Sequence, residues 1–464
     1  MSLLRSRWGY VLDLVVALVL LCVARQPTFA QSPALDPAIT QVVIKLAPVA
    51  GATVAEINAT YGTTTIKPLL NRAGIYLLQA PTGITAAALA EKMAADLRLL
   101  YAEPNFVHEA PEGTGRHTWG WGGNDAAPLD LQYAINQLGL PAAWSYSRGA
   151  GVVVAVLDSE IQLDHPALAT VWTTERYDFV DDDSDPQYMT NDITTVASGH
   201  GTHVAGIIHL VAPDAHIMPL RVLDSQARGD IFRLAEAIIY ATDHGANVIN
   251  LSLGTRDESA LLAEVTQRAT MLGVTVVAAA GNLNEKDRQY PAAGQCVLAV
   301  TALDEQQRKA DFANYGSWID LAAPGVGIYS TLPPDGYGWW SGTSMATPWV
   351  AGQAALIYSM NARLNVRQIA ELMVGTAQSV DRVNSQARGK LGAGLPAIDV
   401  SLARLQRGDL PHVGGTMSGS CVEPPATTGT ATHQAPSSQT LERDLKQEDL
   451  LQENMLFLPL VRHS

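Results

Sequence analysis

Cysteine is scarce. The 464 residues hold three, Cys22, Cys296 and Cys421, too few to staple a fold of this size. Cys296 lies in an apolar stretch that reads as a strand, which predicts a buried small hydrophobe. A Cys296–Cys421 bridge is chemically allowed in a secreted protein, but spacing does not decide it. Basic clusters are also missing. The 30 Lys and Arg are outnumbered by 45 Asp and Glu, giving a net charge of −15. No basic block is interleaved with aromatics, which excludes nucleic acid as a partner. The acidity bears on solubility and says little about substrate. Long apolar runs are lacking too, apart from Leu14 to Ala24. That run is too short to span a bilayer, so no stable membrane span is expected.

What is present explains that run. Arg5 and Arg7 precede it, and Thr28-Phe29-Ala30 follows. This is the pattern of a secretory signal with cleavage after Ala30, and it predicts a secreted protein. Leu21 stands where a lipoprotein site at Cys22 would need a small residue. The length predicts two or three domains, and 47 % hydrophobic residues suffice for a large core.

Residues 41–108 form a segment of their own. QVVIKL, GIYLLQAP and LLYAEPNFV read as strands, with helices over Thr53–Tyr61 and Thr85–Leu97. This order predicts a small ferredoxin-like domain. Residues 109–128 are rich in Gly and Pro and poorly patterned. After residue 407 the composition changes again. Residues 411–440 are rich in Gly, Ser, Thr and Pro, as in a flexible linker, and a disordered tail is expected up to Ser464. The predicted organisation is a signal peptide (1–30), an N-terminal domain region (31–120), a catalytic domain (121–407) and a low-complexity tail (408–464).

Three short stretches carry the chemistry: VVVAVLDSE ending at Glu160, SGHGTHVAGII from Ser198 to Ile208, and SGTSMATPWVAG from Ser341 to Gly352. Gly151 to Leu157 is apolar and rich in β-branched residues. It predicts a central parallel strand buried on both faces, with Asp158 at its C-terminal edge, where α/β sheets place their sites. His200 opens a small-residue segment that runs into an apolar helix. Ser344 starts another. A serine hydroxyl needs a base to take its proton and a carboxylate to orient that base.

These stretches, in the order Asp, His, Ser, resemble the subtilisin-like serine proteases. The resemblance implies an α/β fold with a mostly parallel central sheet and helices on both faces. It implies Asp158 as orienting acid, His200 as general base and Ser344 as nucleophile. His203 is the rival base, but the family motif puts the base before the Gly-Thr pair, leaving His203 a structural histidine. AAAGN ends at Asn282, the implied side-chain donor to an oxyanion hole completed by the Ser344 N–H. NVINLSLG supplies Ser252, Leu253 and Gly254 for pairing with an extended substrate. With Ala278, Ala279, Ala280 and Gly281 they would wall the primary specificity pocket. These walls are small and apolar, so a sizeable apolar side chain is expected just before the scissile bond. The loop 283–290 should floor the pocket, with Arg288 or Gln289 able to alter the preference.

The resemblance extends to the N-terminal domain, where YAEPN is similar to the family's propeptide end. It implies a propeptide that assists folding, inhibits the enzyme and is cut off within residues 109–128. A large parallel sheet folds slowly, which gives such a template a physical use. Two departures stand out. The family has Gly where this chain has Glu160. In a left-handed backbone conformation Glu would be strained by roughly 1–2 kcal/mol. The loop that binds calcium in many relatives has no counterpart in HVAGIIHLVAPDA. DFVDDDSDP, residues 178–186, offers carboxylates suited to a hard cation but lacks full ligand spacing. A solvated acidic turn is the expectation and a structural calcium the alternative; no cofactor is required. The expected function is a monomeric endopeptidase acting on protein or peptide substrates, with its own propeptide as intramolecular inhibitor. A subtilisin-like binding module, suggested by Glu160, and a processing protease with one partner are the alternatives.

Overall fold

The structure, a computed structural model, describes residues 37–70, 72–114, 119–187 and 199–409. The predicted signal peptide and C-terminal tail lie outside them.

The N-terminal domain follows the predicted order. It runs β1 (Gln41–Leu46), α1 (Val54–Tyr61), β2 (Thr64–Pro68), β3 (Ile75–Gln79), α2 (Ala86–Met93) and β4 (Leu99–Pro104). Thr53 starts α1 with a capping box, its hydroxyl on the Glu56 N–H while the Glu56 carboxylate takes the Thr53 N–H. The strands form an antiparallel sheet in the order β2-β3-β1-β4. Alternation within β1 divides its two faces. Val42 and Ile44 pack with Ile57, Leu89 and Met93 beneath α1 and α2. Val43, between them, joins a core shared with the larger domain. The helix expected to reach Leu97 ends at Met93.

Two strands connect onward, β5 (Val107–Glu109) and β6 (Trp119–Gly123). The larger domain then contains β7 (Val153–Asp158), β8 (Tyr177–Asp178), α3 (His200–Val211), β9 (His216–Arg221), β10 (Arg228–Asp230), α4 (Ile231–Asp243), β11 (Val248–Leu251), α5 (Ala260–Met271), β12 (Thr275–Ala279), β13 (Val297–Leu303), β14 (Leu321–Pro324), β15 (Ile328–Leu332), β16 (Gly336–Trp340), α6 (Thr343–Met360), α7 (Val366–Thr376) and α8 (Ile398–Gln406). Seven strands form one sheet in the order β14-β13-β12-β11-β7-β9-β8, and every pair in it is parallel. Such a sheet must be covered on both faces. In β7, Val154 and Val156 face a core with α3, α6, α7 and α8. Ala155 and Leu157 face the other, with α4 and α5. The continuous apolar run of β7 follows from this double burial.

The N-terminal domain docks on α4 and α5. The Glu103 carboxylate accepts from Ser259 Oγ at 2.7 Å, Ala260 N at 2.8 Å and Leu261 N at 3.1 Å, capping the start of α5 from outside. Lys45 pairs with Glu264 at 2.6 Å and Lys67 with Glu236 at 2.6 Å. β6 belongs to the larger domain's side, pairing antiparallel with β16. A domain boundary after residue 120 would therefore cut through a paired strand.

Two local expectations change. Cys296 precedes β13, is only partly buried, and has φ 63°. It is disulfide-bonded, not the free strand hydrophobe expected from its apolar neighbours. Its possible partner Cys421 lies outside the described residues. The acidic turn is organised around a cation of the protein's own. Arg221 Nη1 donates to Asp178 Oδ2 at 2.7 Å and Asp181 Oδ2 at 2.6 Å. The second Asp178 oxygen accepts from Val180 N and Asp181 N. Both Asp178 oxygens are thereby engaged by the protein's own donors.

Candidate active site

Four loops at the C-terminal edge of the sheet bring the expected residues together. Asp158 is the last residue of β7, and His200 is the first of α3. Gly199, at φ 79°, turns the chain into that helix. Gly201 lets α3 approach the strand end, since a Cβ there would lie 2.8 Å from the Ser159 carbonyl oxygen. His200 Nδ1 donates to Asp158 Oδ1 at 2.6 Å, and the same oxygen accepts the Ser159 N–H at 2.7 Å. The ring stands edge-on to Trp340, with centroids 5.4 Å apart.

Ser344 is the second residue of α6, and its setting depends on Pro348 within that helix. Proline has no N–H to offer the carbonyl four residues back. The Ser344 carbonyl accepts from Ser252 Oγ instead, at 2.9 Å, and Asn250 Nδ2 donates to that hydroxyl at 3.0 Å. The LSLG segment is thereby tied to the start of α6. Asn282 is oriented just as specifically. Its Oδ1 accepts from Thr343 N at 3.0 Å and Thr343 Oγ1 at 2.9 Å. Its Nδ2 must then point into the site.

All three polar tips converge on one group that motif reasoning missed. Glu112 Oε2 accepts from Ser344 Oγ at 2.7 Å and lies 3.2 Å from His200 Nε2. Glu112 Oε1 accepts from Asn282 Nδ2 at 2.9 Å. The carboxylate is 1 % exposed. Burial by itself would lower the His200 pKa, but the Asp158 and Glu112 carboxylates outweigh it and push it up to about 10. Burial by itself would raise that of Glu112, but His200, Ser344 and Asn282 outweigh it and hold it below the ordinary carboxylate range. Both shifts favour an imidazolium facing a carboxylate. No motif in EAPEGTG announces this role, because only the docking of two domains creates it.

The segment before Glu112 lies in a cleft between β10 and Gly254. β5 pairs antiparallel with β10, Val107 opposite Asp230 and Glu109 opposite Arg228. On its other side Glu109 N donates to the Gly254 carbonyl at 3.0 Å, and Gly254 N donates to the Glu109 carbonyl at 2.9 Å. Gly254 thus pairs with an extended segment of the chain itself. The opposite wall, Ala227 to Asp230, was not foreseen, because RGD carries no strand periodicity in so short a run.

Ser252 and Leu253 are buried beside Gly254, and Ala278, Ala279, Ala280 and Gly281 are buried along the end of β12. The loop from residue 283 returns beside them through the Thr255–Tyr290 bridge. Arg288 is exposed, which removes it from the floor, whereas Gln289 is buried. A Cβ on Gly281 would meet Gln289 Cγ at 3.0 Å, and one on Gly254 would meet Gln289 Oε1 at 3.8 Å. Gln289 Nε2 is buried without a hydrogen-bond partner.

His203 stands apart from the cluster. Its Nε2 faces the carbonyls of Ile328 and Gly338 at 3.1 and 3.2 Å, and burial pushes its pKa down to about 3. Glu160 is not among the residues with left-handed φ, so the anticipated strain is absent. It pairs instead with Arg221 Nη2 at 3.2 Å. Burial raises the Glu160 pKa, and Arg221 opposes that rise.

Comparison with known proteins finds matches for both domains. The subtilase family matches residues 149–394, and the fervidolysin N-terminal prodomain matches residues 26–105. A thermophilic serine proteinase of Bacillus sp. (strain AK1) is 39 % identical over 303 residues, 61 % of this chain and 71 % of its own. Thermitase of Thermoactinomyces vulgaris is 40 % identical over 268 residues, 54 % of this chain and 93 % of its own. Fervidolysin from Fervidobacterium pennivorans, a keratinolytic enzyme related to subtilisin, superposes with a TM-score of 0.65 at 24 % identity. The match covers 79 % of this chain and 61 % of that one, less than two thirds of its length, and it speaks to the fold.

Proposed function

The chain belongs to the subtilase family of serine endopeptidases and carries a fervidolysin-like N-terminal prodomain, and from this premise we propose a secreted endopeptidase made as a self-processed zymogen. Ser344 is the nucleophile, His200 its general base and Asp158 the carboxylate that orients the base. Asn282 Nδ2 and the Ser344 N–H stabilise the oxyanion. The observation that carries this reading is the convergence of Asn282, Ser344 and His200 on a single carboxylate, with Asp158 behind the imidazole.

The reaction follows from these positions. His200 Nε2 takes the Ser344 proton as Oγ attacks the peptide carbonyl. Charge grows on the carbonyl oxygen beside Asn282 Nδ2. His200 then protonates the leaving amine, and water repeats the attack on the acyl-enzyme. Asp158 keeps the Nδ1 proton in place and stabilises the imidazolium. An extended protein or peptide substrate adds as a strand between β10 and Gly254, the place taken here by Val107 to Ala110. Ser252, Leu253, Gly254 and Ala278 to Gly281 wall the specificity pocket, with Gln289 among them. An apolar side chain of moderate size suits that space.

We place the processing cut after Glu112 and before Trp119. Residues up to Ala110 bond to the cleft, while β6 pairs with the larger domain. The test is intact mass and fluorophosphonate labelling of the wild-type chain beside Ser344→Ala. Wild type should lose the N-terminal segment and take one probe at Ser344, while the variant stays full-length and unlabelled. Two folded chains, neither cut nor labelled, would favour a binding module.

A further inference from the structure

We propose that the Glu112 side chain, rather than a main-chain carboxyl terminus or a scissile peptide, is the group that blocks this active site before processing. The proposal rests on the protease reading above and assigns the blocking atoms.

Three observations carry it. First, the chain leaves its extended course before it reaches the nucleophile. Residues 107–109 run as a strand in the cleft, and Ala110 N still donates to the Ala227 carbonyl at 3.0 Å. Pro111 to Thr114 then form a 3₁₀ turn. A turn swings the following peptide groups out of the line that strand addition requires. Second, a side-chain carboxylate fills the space this opens. One oxygen lies 2.9 Å from Asn282 Nδ2, where the charge of a tetrahedral intermediate would grow. The other lies between Ser344 Oγ and His200 Nε2, at 2.7 and 3.2 Å. Third, the fit leaves no slack. A Cβ on Gly342 would run into Glu112 Oε1, and the carboxylate is almost fully buried.

The chemistry explains why this group blocks without being consumed. A carboxylate already carries negative charge at the oxyanion position and is a poor electrophile. The Ser344 hydroxyl donates its proton to it, so His200 is not set to remove that proton. The imidazolium is held as a counter-ion. The arrangement therefore has the polar contacts of a bound product acid, yet Glu112 is joined to the chain on both sides. Productive processing then requires Glu112 to leave and a peptide carbonyl from the same junction to take its place.

The experiment compares the full-length wild-type chain with Glu112→Gln and Glu112→Ala, caught before processing and mixed with a fluorophosphonate probe. Ser344 should be labelled at least tenfold faster in both variants, and the N-terminal segment should be released sooner. Labelling as slow as, or slower than, wild type would overturn the proposal, because Glu112 would then be aiding the junction's recognition as substrate. A second reading does not depend on activity. In the Ser344→Ala chain the His200 imidazole is titrated by NMR with and without Glu112→Gln. Loss of a facing carboxylate should lower the His200 titration by about 1–3 pH units. An unchanged midpoint would overturn the proposal even if no chain proved catalytically active. Absence of labelling in every chain, with the His200 shift present, would sink the protease reading and leave the contact standing.

Discussion

Arg221 offers the most discriminating test of how Glu160 is accommodated beside Asp158. The residue sits opposite Asp158 in the pairing of β7 with β9. It reaches Glu160 at 3.2 Å, Asp178 at 2.7 Å and Asp181 at 2.6 Å. The contributions are unequal. The Asp181 side chain is 60 % exposed, so its ion pair contributes at most about 1 kcal/mol. Asp178 and Glu160 are buried, their side chains 2 % and 10 % exposed. Arg221→Met keeps the volume but leaves two carboxylates buried and unpaired, at a cost of about 3–5 kcal/mol. That corresponds to a drop in melting temperature of roughly 6–20 °C. The assay is thermal unfolding in a Ser344→Ala background, which prevents self-digestion. Glu160→Gly in the same background should cost far less, since Arg221 keeps two partners. The deficit of Arg221→Met should also shrink with acid. Without the guanidinium, burial keeps the Glu160 carboxyl above its unfolded value. A group raised in the folded state adds stability as pH falls and it takes up its proton. A loss below about 1 kcal/mol, or one equal at pH 5 and pH 8, would refute this account of why a glutamate is tolerated beside Asp158.

Four further outcomes follow from the geometry. Asn282→Ala should lower kcat by about 10²–10³-fold with little change in KM, a magnitude known for one oxyanion donor in subtilisin, of this same family; an equal loss in KM would point to substrate binding instead. Gln289→Ala should raise kcat/KM for substrates with an aromatic residue before the scissile bond by roughly tenfold over those with alanine there, and no change in that ratio would remove Gln289 from the pocket. Glu103→Ala should weaken the hold of the N-terminal domain by about 1–3 kcal/mol through loss of charge-assisted bonds at the start of α5, seen as earlier release of that domain during unfolding of the Ser344→Ala chain. The stability difference between Ser344→Ala chains with and without Glu112→Gln should vary with pH. His200, raised to about 10, contributes fully below its ordinary value and loses its contribution as pH rises through about 10; Glu112, lowered, contributes above its ordinary value and loses its contribution in acid. The unfolded His200 is common to both chains, so the difference should be largest from about pH 5 up to the His200 midpoint of the Glu112→Gln chain, about 1–3 units below that of its parent, and decline as pH rises through about 10; a pH-independent difference would contradict the ion pair.

Local information determined much of this molecule. The apolar run ending at Asp158 is readable as a doubly buried strand because a parallel sheet with helices on both faces demands side chains of one kind at every position. The period-two pattern of QVVIKL and the Thr53 capping box likewise depend on near neighbours alone. The order Asp158, His200, Ser344, with Asn282 between the last two, could be recognised because each lies in a short motif whose small residues serve its own turn. The tertiary structure decided what depends on groups distant in sequence. Glu160 was legible as a departure, but its partner Arg221 lies on another strand, and only their pairing removes the expectation of strain. Arg288 and Gln289 are adjacent in sequence, yet one faces solvent and the other packs beside Gly254 and Gly281. Glu112 had no signature at all. Its role arises because a docked domain, a cleft strand and a single turn deliver one carboxylate to three polar tips. A motif records a residue's own backbone needs; an electrostatic partnership between groups as far apart as Glu112 and His200, 88 residues along the chain, leaves no mark in the local pattern.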